Sequence, residues 1–261
     1  MRRAGFAQPR TKGHPHDNHG LARSGMVRAW MKLRGSIAPP GDSVVWGLPT
    51  GDQKGISNTV EMTRGGNSAY AALKDLPSLV NAAVEVATGQ GFDHSCAPEQ
   101  GRLLAVLSGA FPGRRIGETG TGCGVGLAWM IDAAGPTASY VSVEADATRA
   151  SAATKLFSKQ RSVRIIHGDW HELRDFGPFD LLVLDGGGKG KEPGDDPPLD
   201  PTDGWLSLGG MVVLDDFVPF GRPGSSVHDS CRRYWLGHPA LRAIEVQLSP
   251  TLSTIIGTRI R

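Results

Sequence analysis

The sequence predicts an α/β protein built on a doubly wound, mostly parallel seven-stranded sheet that ends in an antiparallel hairpin. Short apolar segments with strand-like character alternate with helical patterns from residue 113 onward. The segment 179–184 is almost wholly apolar, as expected of a strand that is covered on both faces. The last two strand-like segments, 243–248 and 253–260, are too close together for a crossover helix, so they are expected to run antiparallel.

The individual elements follow from hydrophobic periodicity and turn residues. Residues 68–88 have Ala, Leu and Val at helical spacing with a break at Pro77, and a second helix over 98–107 has proline in its first turn. The remaining predicted elements are helices at 127–134, 147–160, 199–208 and 227–236 and strands at 114–117, 139–143, 163–166, 179–184, 210–214, 243–248 and 253–260. Right-handed crossovers with a reversal after the third strand bring the ends of the first and fourth strands together. A ligand is therefore expected above those ends.

The composition of the chain limits its class. Its 261 residues are 39% hydrophobic and carry a formal net charge of +2, which excludes a disordered chain, a coiled coil and a collagen. No apolar run approaches the roughly 20 residues that cross a bilayer, so we expect no membrane span. The three cysteines have no metal-binding or disulfide-scaffold spacing, and a cytoplasmic location is the expectation.

The charge is unevenly distributed along the chain. Residues 1–35 contain eight basic residues and one acidic residue, which leaves a net charge of −5 for the remainder. The first 66 residues are rich in Gly, Pro, Arg and His and lack a sustained apolar period. We therefore expect a basic, largely disordered leader over 1–66, a helical cap over 67–112 and the ligand-binding domain over 113–261.

Each predicted parallel strand ends in a polar or glycine-rich cluster. These clusters are Glu118–Gly126, Glu144, Asp169 with Trp170, Asp185, and Asp215 with Asp216. The glycine cluster does not match a dinucleotide-binding fingerprint, because Val125 or Leu127 occupies the last glycine position in the two registers. It also lacks the Gly-Lys-Ser/Thr sequence of a Walker loop.

The glycine cluster and Glu144 together resemble the motif pair of class I S-adenosylmethionine-dependent methyltransferases. The segment Pro98–Leu104, with the sequence PEQGRLL, resembles the helix before this motif in O-methyltransferases of the catechol and caffeoyl-CoA type. The resemblance covers roughly residues 97–261. It implies a Rossmann-like methyltransferase fold, S-adenosyl-L-methionine as the cofactor and O-methylation of a small-molecule hydroxyl.

Simple chemistry supports the cofactor site that the resemblance implies. Glycines let the backbone approach a flat ligand closely, and the amides at the start of the next helix can meet a carboxylate. Glu144 can accept hydrogen bonds from ribose hydroxyls, Asp169 can accept from an adenine amino group, and Trp170 either packs on the adenine ring or fills the core. The expected cofactor-binding residues are Glu118, Gly120, Thr121, Gly122, Gly124, Glu144, Ala145, Asp169, Trp170 and Asp185.

Methyl transfer to oxygen requires a deprotonated acceptor, which a metal ion or a general base can provide. The resemblance to metal-dependent families implies that Asp185, Asp215 and Asp216 bind a divalent cation such as Mg2+ and that Lys189 assists deprotonation. The sequence departs from that pattern twice, because Asp216 stands where the families have Asn and Lys189 lies one residue further from its Asp. Without a metal, His228 is the better candidate base and His171 the weaker one, so the expected catalytic residues are Asp185, Lys189 and His228.

The expected partner is a small-molecule acceptor, selected by the loops 186–198 and 217–226 at the mouth of the site. A homodimer could form through the helices of 68–107. An RNA methyltransferase that uses the basic leader is an alternative, although no basic patch with interleaved aromatic residues supports nucleic acid as a partner. A second alternative is a non-catalytic module that binds S-adenosylmethionine, and a dehydrogenase is the alternative that the sequence supports least.

Overall fold

The computed structural model describes residues 66–191, 194 and 196–261. The predicted leader lies outside the described residues except for Gly66, which begins the first helix. The helices are α1 (Gly66–Tyr70), α2 (Ser78–Gly89), α3 (Pro98–Ser108), α4 (Val125–Ala134), α5 (Ala147–Leu156) and α6 (Asp229–Gly237), with 3-10 turns at Trp170–Phe176 and Ser225–His228. The strands are β1 (Arg115–Thr119), β2 (Ser139–Glu144), β3 (Val163–His167), β4 (Phe179–Leu184), β5 (Leu206–Phe217), β6 (Leu241–Gln247) and β7 (Ser253–Arg259).

The seven strands form one sheet in the order β3-β2-β1-β4-β5-β7-β6. The five strands from β3 to β5 are parallel, and β7 runs antiparallel between β5 and β6. The last residue of β1, Thr119, pairs with Leu184 at the end of β4. The predicted fold class is confirmed, and the reversal brings the ends of the first and fourth strands side by side.

Strand β4 contributes to the hydrophobic packing on both faces of the sheet. Leu181 and Val183 belong to a cluster with helices α1 to α4, whereas Leu182 and Leu184 belong to a cluster with Trp235 of α6. This alternation follows from the two-residue period of a strand and explains why the segment is apolar throughout. The helices of the predicted cap therefore share a hydrophobic core with the sheet.

The helix predicted at 199–208 is wrong. Residues 201–205 form turns, and β5 starts at Leu206, four residues before the predicted start. Asp200 Oδ1 accepts hydrogen bonds from the backbone N–H and the hydroxyl of Thr202, and Gly204 has a φ of 76°. Side-chain bonds of this kind compete with helix formation, so the turn chemistry outweighs the apolar residues. Among the described residues, no helix is long and apolar enough to cross a membrane.

Candidate functional site

A cavity of about 380 Å3 lies at the carboxyl ends of β1, β2 and β4. Its wall brings together the glycine loop after β1, the acid at the end of β2, the segment after β3 and the start of the loop after β4. The predicted residues on this wall are Gly120, Thr121, Gly122, Glu144, Ala145, Asp169, Trp170, Asp185 and Asp216. The strand ends that the sequence predicts to converge therefore surround one space.

The glycine loop lies against the start of the loop that follows β4. Gly120 has a φ of 83°, and a Cβ atom at this position would lie 2.5 Å from the backbone N of Gly186. The backbone N–H groups of Gly120 and Thr121 both donate to the carbonyl of Val143 in β2. Only glycine allows this approach of the two loops, so the loop is fixed in shape by backbone contacts.

Glu118 lies beneath the glycine loop and not on the cavity wall. Its side chain is buried, and its Oε2 accepts a 2.6 Å hydrogen bond from the hydroxyl of Ser142. The Ser142 hydroxyl also lies 2.5 Å from that of Thr121, which joins the three side chains in one network. Burial raises the pKa of Glu118 to about 8. The structure thus places Glu118 as a support for the loop, whereas the sequence analysis placed it among the residues that contact the cofactor.

Glu144 is on the cavity wall and both of its oxygens have partners. Oε2 accepts a 2.7 Å hydrogen bond from the backbone N–H of Gly122. Oε1 accepts from the backbone N–H of Asp146 at 2.9 Å and from Arg149, whose Nη2 lies at 2.7 Å and whose Nε lies at 3.2 Å. Arg149 also lines the cavity, and the sequence analysis did not select it.

Asp169 and Trp170 reach the cavity, but each also has a local structural role. The Asp169 side chain caps the 3-10 turn that follows. Its Oδ1 atom accepts a hydrogen bond from the backbone N–H of His171 and is also hydrogen-bonded to the Nδ1 atom of the same residue. Trp170 stacks on His171, with the ring centroids 3.6 Å apart, and its ring centroid lies 5.7 Å from that of Trp205. The ring packs against the hydrophobic core, as one of the two alternatives for Trp170 predicts. Trp170 also borders the cavity, and its packing on an adenine ring stays a prediction.

The three aspartates predicted to bind a metal lie together at the ends of β4 and β5. One carboxylate oxygen from each of Asp185, Asp215 and Asp216 lies within 4.8 Å of the other two. Burial and the charge of Asp215 raise the pKa of Asp185 well above its usual range. The charge of Asp215, together with burial, also raises the pKa of Asp216. These carboxylates repel each other, so the cluster favours binding of a cation or a proton.

Lys189 is buried against this cluster. Its Nζ atom donates to Asp215 Oδ1 at 2.8 Å and to the backbone carbonyl of Asp185 at 2.6 Å. Burial alone would lower the pKa of Lys189, but the nearby carboxylates outweigh it and raise the pKa above its usual range. The side chain is therefore an ammonium ion at neutral pH, which makes it a hydrogen-bond donor and not a base.

The structure does not bring His228 to the cavity wall. The residue ends the 3-10 turn Ser225–His228, which directs its side chain inward, and it is buried. Its ring packs edge-on against Phe217, with the centroids 5.5 Å apart. The prediction of His228 as a general base is therefore corrected to a role in core packing. The weaker candidate, His171, is held by Asp169 against Trp170.

Sequence reasoning missed the loop between α2 and α3, residues 90–97. This α2–α3 loop contributes Phe92, His94, Ser95 and Cys96 to the cavity wall. The Ser95 hydroxyl oxygen is buried without a hydrogen-bond partner among the described residues. The position of the loop directly before the PEQGRLL helix was the signal that could have identified it.

Comparison with known proteins supports the fold. No family model matches the chain, and no curated protein does. The chain is similar to the solved structure of TomG, an O-methyltransferase of Streptomyces achromogenes that is involved in tomaymycin synthesis and was solved in complex with S-adenosylmethionine (SAM). The two sequences are 17% identical, the match covers 74% of this chain and 94% of TomG, and the TM-score is 0.57. The chain has the Rossmann-like methyltransferase fold.

Two further solved structures have the same fold. An O-methyltransferase of Bacillus cereus in complex with SAH (S-adenosylhomocysteine) is 15% identical over 75% of this chain and 96% of its own, with a TM-score of 0.55. An SAH-bound methyltransferase of Podospora anserina is 18% identical over 74% of this chain and 92% of its own, also with a TM-score of 0.55.

Proposed function

We propose that the protein is an S-adenosylmethionine-dependent methyltransferase that acts on a hydroxyl group of a small molecule. The observation that carries this proposal is the cavity that is lined by the glycine loop, Glu144, Asp185 and Asp216 together. The structural relatives support it, because TomG is in complex with SAM and the Bacillus cereus and Podospora anserina proteins hold SAH.

The wall of the cavity offers a complementary group for each part of the cofactor. Helix α4 begins directly after the glycine loop, so its first backbone N–H groups can bind the carboxylate of the methionine moiety. Glu144 and Trp170 both line the cavity, so Glu144 would accept hydrogen bonds from the ribose hydroxyls and Trp170 would border the adenine. The volume of about 380 Å3 is within the range of small-molecule sites.

The aspartate cluster fits a divalent cation. Asp185, Asp215 and Asp216 offer carboxylate oxygens close together, and oxygen donors of this kind are the ones that Mg2+ prefers. Asp185 and Asp216 also line the cavity, so a cation held by the three carboxylates would border the acceptor. Such a cation lowers the pKa of a hydroxyl group that it contacts, which would favour deprotonation of the acceptor.

The chain's own residues align the two substrates and control charge. Transfer from a sulfonium is an in-line displacement, so catalysis depends mainly on positioning of donor and acceptor. Lys189 holds Asp215 through its hydrogen bond and offsets part of the negative charge of the cluster. The α2–α3 loop contributes four residues to the cavity wall and can help to exclude water from the reaction.

Binding and transfer assays on the full chain test the proposal. Isothermal titration calorimetry should detect binding of SAH and no binding of NADH. A labelled methyl donor should then transfer its label to at least one member of a panel of phenols, catechols and other hydroxyl compounds, with and without Mg2+. Absence of SAH binding would overturn the proposal. Binding without transfer to any compound would instead support the non-catalytic module, and transfer to RNA alone would support the RNA methyltransferase.

A further inference from the structure

Arg149 is one of the residues that line the cavity. It belongs to α5, yet it lines the same cavity as Glu144 and Gly122. The guanidinium lies over the ring of Phe92, with Cζ 4.9 Å from the ring centroid. Its orientation is therefore fixed from two sides, by the aromatic ring and by the carboxylate of Glu144.

The two oxygens of Glu144 differ in the capacity that remains for a ligand. Oε1 accepts three hydrogen bonds, two of them from Arg149, which leaves no lone pair for a further donor. Oε2 accepts one hydrogen bond, from the backbone N–H of Gly122, and retains acceptor capacity. Glu144 can therefore accept a hydrogen bond from one ribose hydroxyl through Oε2. The second ribose hydroxyl needs a different partner.

Arg149 retains a donor for that second hydroxyl. Its Nε and Nη2 atoms are engaged by Glu144, whereas its Nη1 atom lies 3.8 Å from Asp146 Oδ2, which is beyond hydrogen-bond distance. The side chain is 31% exposed and the residue lines the cavity, so a ligand bound there can reach the side chain. A guanidinium held by its other edge loses little entropy when it donates one more hydrogen bond.

Phe92 keeps this pair in place from the α2–α3 loop. A Cβ atom on Gly122 would lie 3.0 Å from the Phe92 ring, so the ring packs directly on the glycine loop. The ring is thus in contact with both the glycine loop and Arg149.

We infer that Glu144 and Arg149 bind the cofactor ribose as a pair, with Glu144 Oε2 accepting a hydrogen bond from one hydroxyl and Arg149 donating one to the oxygen of the other. The inference rests on the proposed function, because it assumes an S-adenosyl ligand. It makes Arg149 a specificity-determining residue for the ribose.

The test compares SAH with its 2′-deoxy and 3′-deoxy analogues by isothermal titration calorimetry. The wild-type chain should bind both analogues about tenfold or more weakly than SAH, the loss expected for one hydrogen bond to a charged group. In Arg149→Met, the difference in affinity between SAH and one of the analogues should fall to about twofold. The difference between SAH and the other analogue should stay as in the wild type. Arg149→Lys, which retains a cationic donor, should restore part of the lost discrimination.

The matched control is Arg164→Met. Arg164 also lies over an aromatic ring, with Cζ 4.5 Å from the Phe176 ring centroid, but it does not line the cavity. Its substitution should leave all three affinities unchanged.

The outcomes separate this inference from the proposed function. If the wild-type chain fails to bind SAH, the proposed function fails. If SAH binds but Arg149→Met weakens all three ligands in parallel, Arg149 only supports Glu144 and the inference is overturned. Unchanged affinities in Arg149→Met, or a wild-type chain that does not discriminate against the analogues, would overturn it as well.

Discussion

The ammonium group of Lys189 lies 2.8 Å from Asp215 Oδ1, and both side chains are less than a tenth exposed. Two opposite charges removed from water must remain paired, because loss of one partner leaves the other without compensation. The pair joins the loop after β4 to the end of β5 and so holds two sides of the aspartate cluster together.

Replacement of Lys189 by Met should destabilise the chain by about 3–5 kcal/mol, since Asp215 would remain buried next to two further carboxylates. Urea unfolding at pH 7 measures the change. The double variant Lys189→Met with Asp215→Leu should recover part of the loss, and Lys74→Met, on an exposed lysine, should have no effect. A Lys189→Met chain as stable as the wild type would contradict the burial of a charged pair.

Asp216→Asn tests the cation site. A bound cation stabilises the folded chain, so added MgCl2 should raise the melting temperature of the wild type. The substitution removes one charged donor and should reduce this rise, while asparagine still suits the φ of 60° at this position. Asp132→Asn, at an exposed aspartate of α4, should respond to MgCl2 as the wild type does. Equal responses in all three chains would show that the charge of Asp216 does not contribute to cation binding.

Gly120→Ala tests the contact between the glycine loop and the loop after β4. The new Cβ atom would collide with the backbone of Gly186, so the variant should lose SAH binding. It should also be about 1–3 kcal/mol less stable than Gly135→Ala. Gly135 is the matched control because it also has a positive φ, of 72°, but has open space around the position of a Cβ atom. Similar losses in the two variants would mean that the approach of the loops is not the reason for glycine.

Glu118 should make the stability of the chain dependent on pH. Between its usual pKa of 4.5 and the folded value of about 8, the folded chain holds a proton that the unfolded chain has released. The free energy of unfolding should therefore fall as the pH rises through this window, by up to about 1.4 kcal/mol per pH unit from this one group. Glu118→Gln removes the titrating group and should have a correspondingly flatter dependence.

Urea unfolding at pH 5.5, 6.5 and 7.5 provides that measurement. Glu99→Gln, at an exposed position in the first turn of α3, should keep the slope of the wild type. Identical slopes for the wild type and Glu118→Gln would show that Glu118 is ionised in the folded chain.

Arg232 anchors the loop that follows β5. The side chain is buried, pairs with Glu245 through Nε at 2.7 Å and Nη2 at 2.9 Å, and donates to the backbone carbonyls of Val218 and Ser225. Arg232→Met should therefore raise amide hydrogen exchange across residues 218–225 and lower the stability by about 3 kcal/mol or more. The control is Arg233→Met, at the exposed residue next to Arg232, and it should change neither the hydrogen exchange nor the stability. Unchanged exchange in Arg232→Met would show that the loop is held by other contacts.

The carboxyl ends of β1 to β4 could be predicted from the sequence to within two residues, because an acid or a glycine follows each apolar run. Strand β5 instead continues through Asp215 and Asp216 to Phe217. Arg149 and Phe92 could not be predicted in this way. Their contact with each other and with Glu144 depends on how α5 and the α2–α3 loop pack around the sheet, and no local pattern encodes that packing. His228 was misplaced for a related reason, since its burial against Phe217 depends on tertiary packing that its sequence neighbours do not show.

Strand β4 contributes side chains to the hydrophobic packing on both faces of the sheet and ends at Leu184, directly before Asp185. A substitution within this strand would loosen two packed layers at once and shift the carboxylate that follows it. Changes of acceptor preference in proteins built this way are therefore more easily accommodated in the segments after β4 and β5, where chain length and side chains can vary without disturbing either layer. The architecture separates the strand ends that we propose to hold the methyl donor from the segments that we propose to select the acceptor.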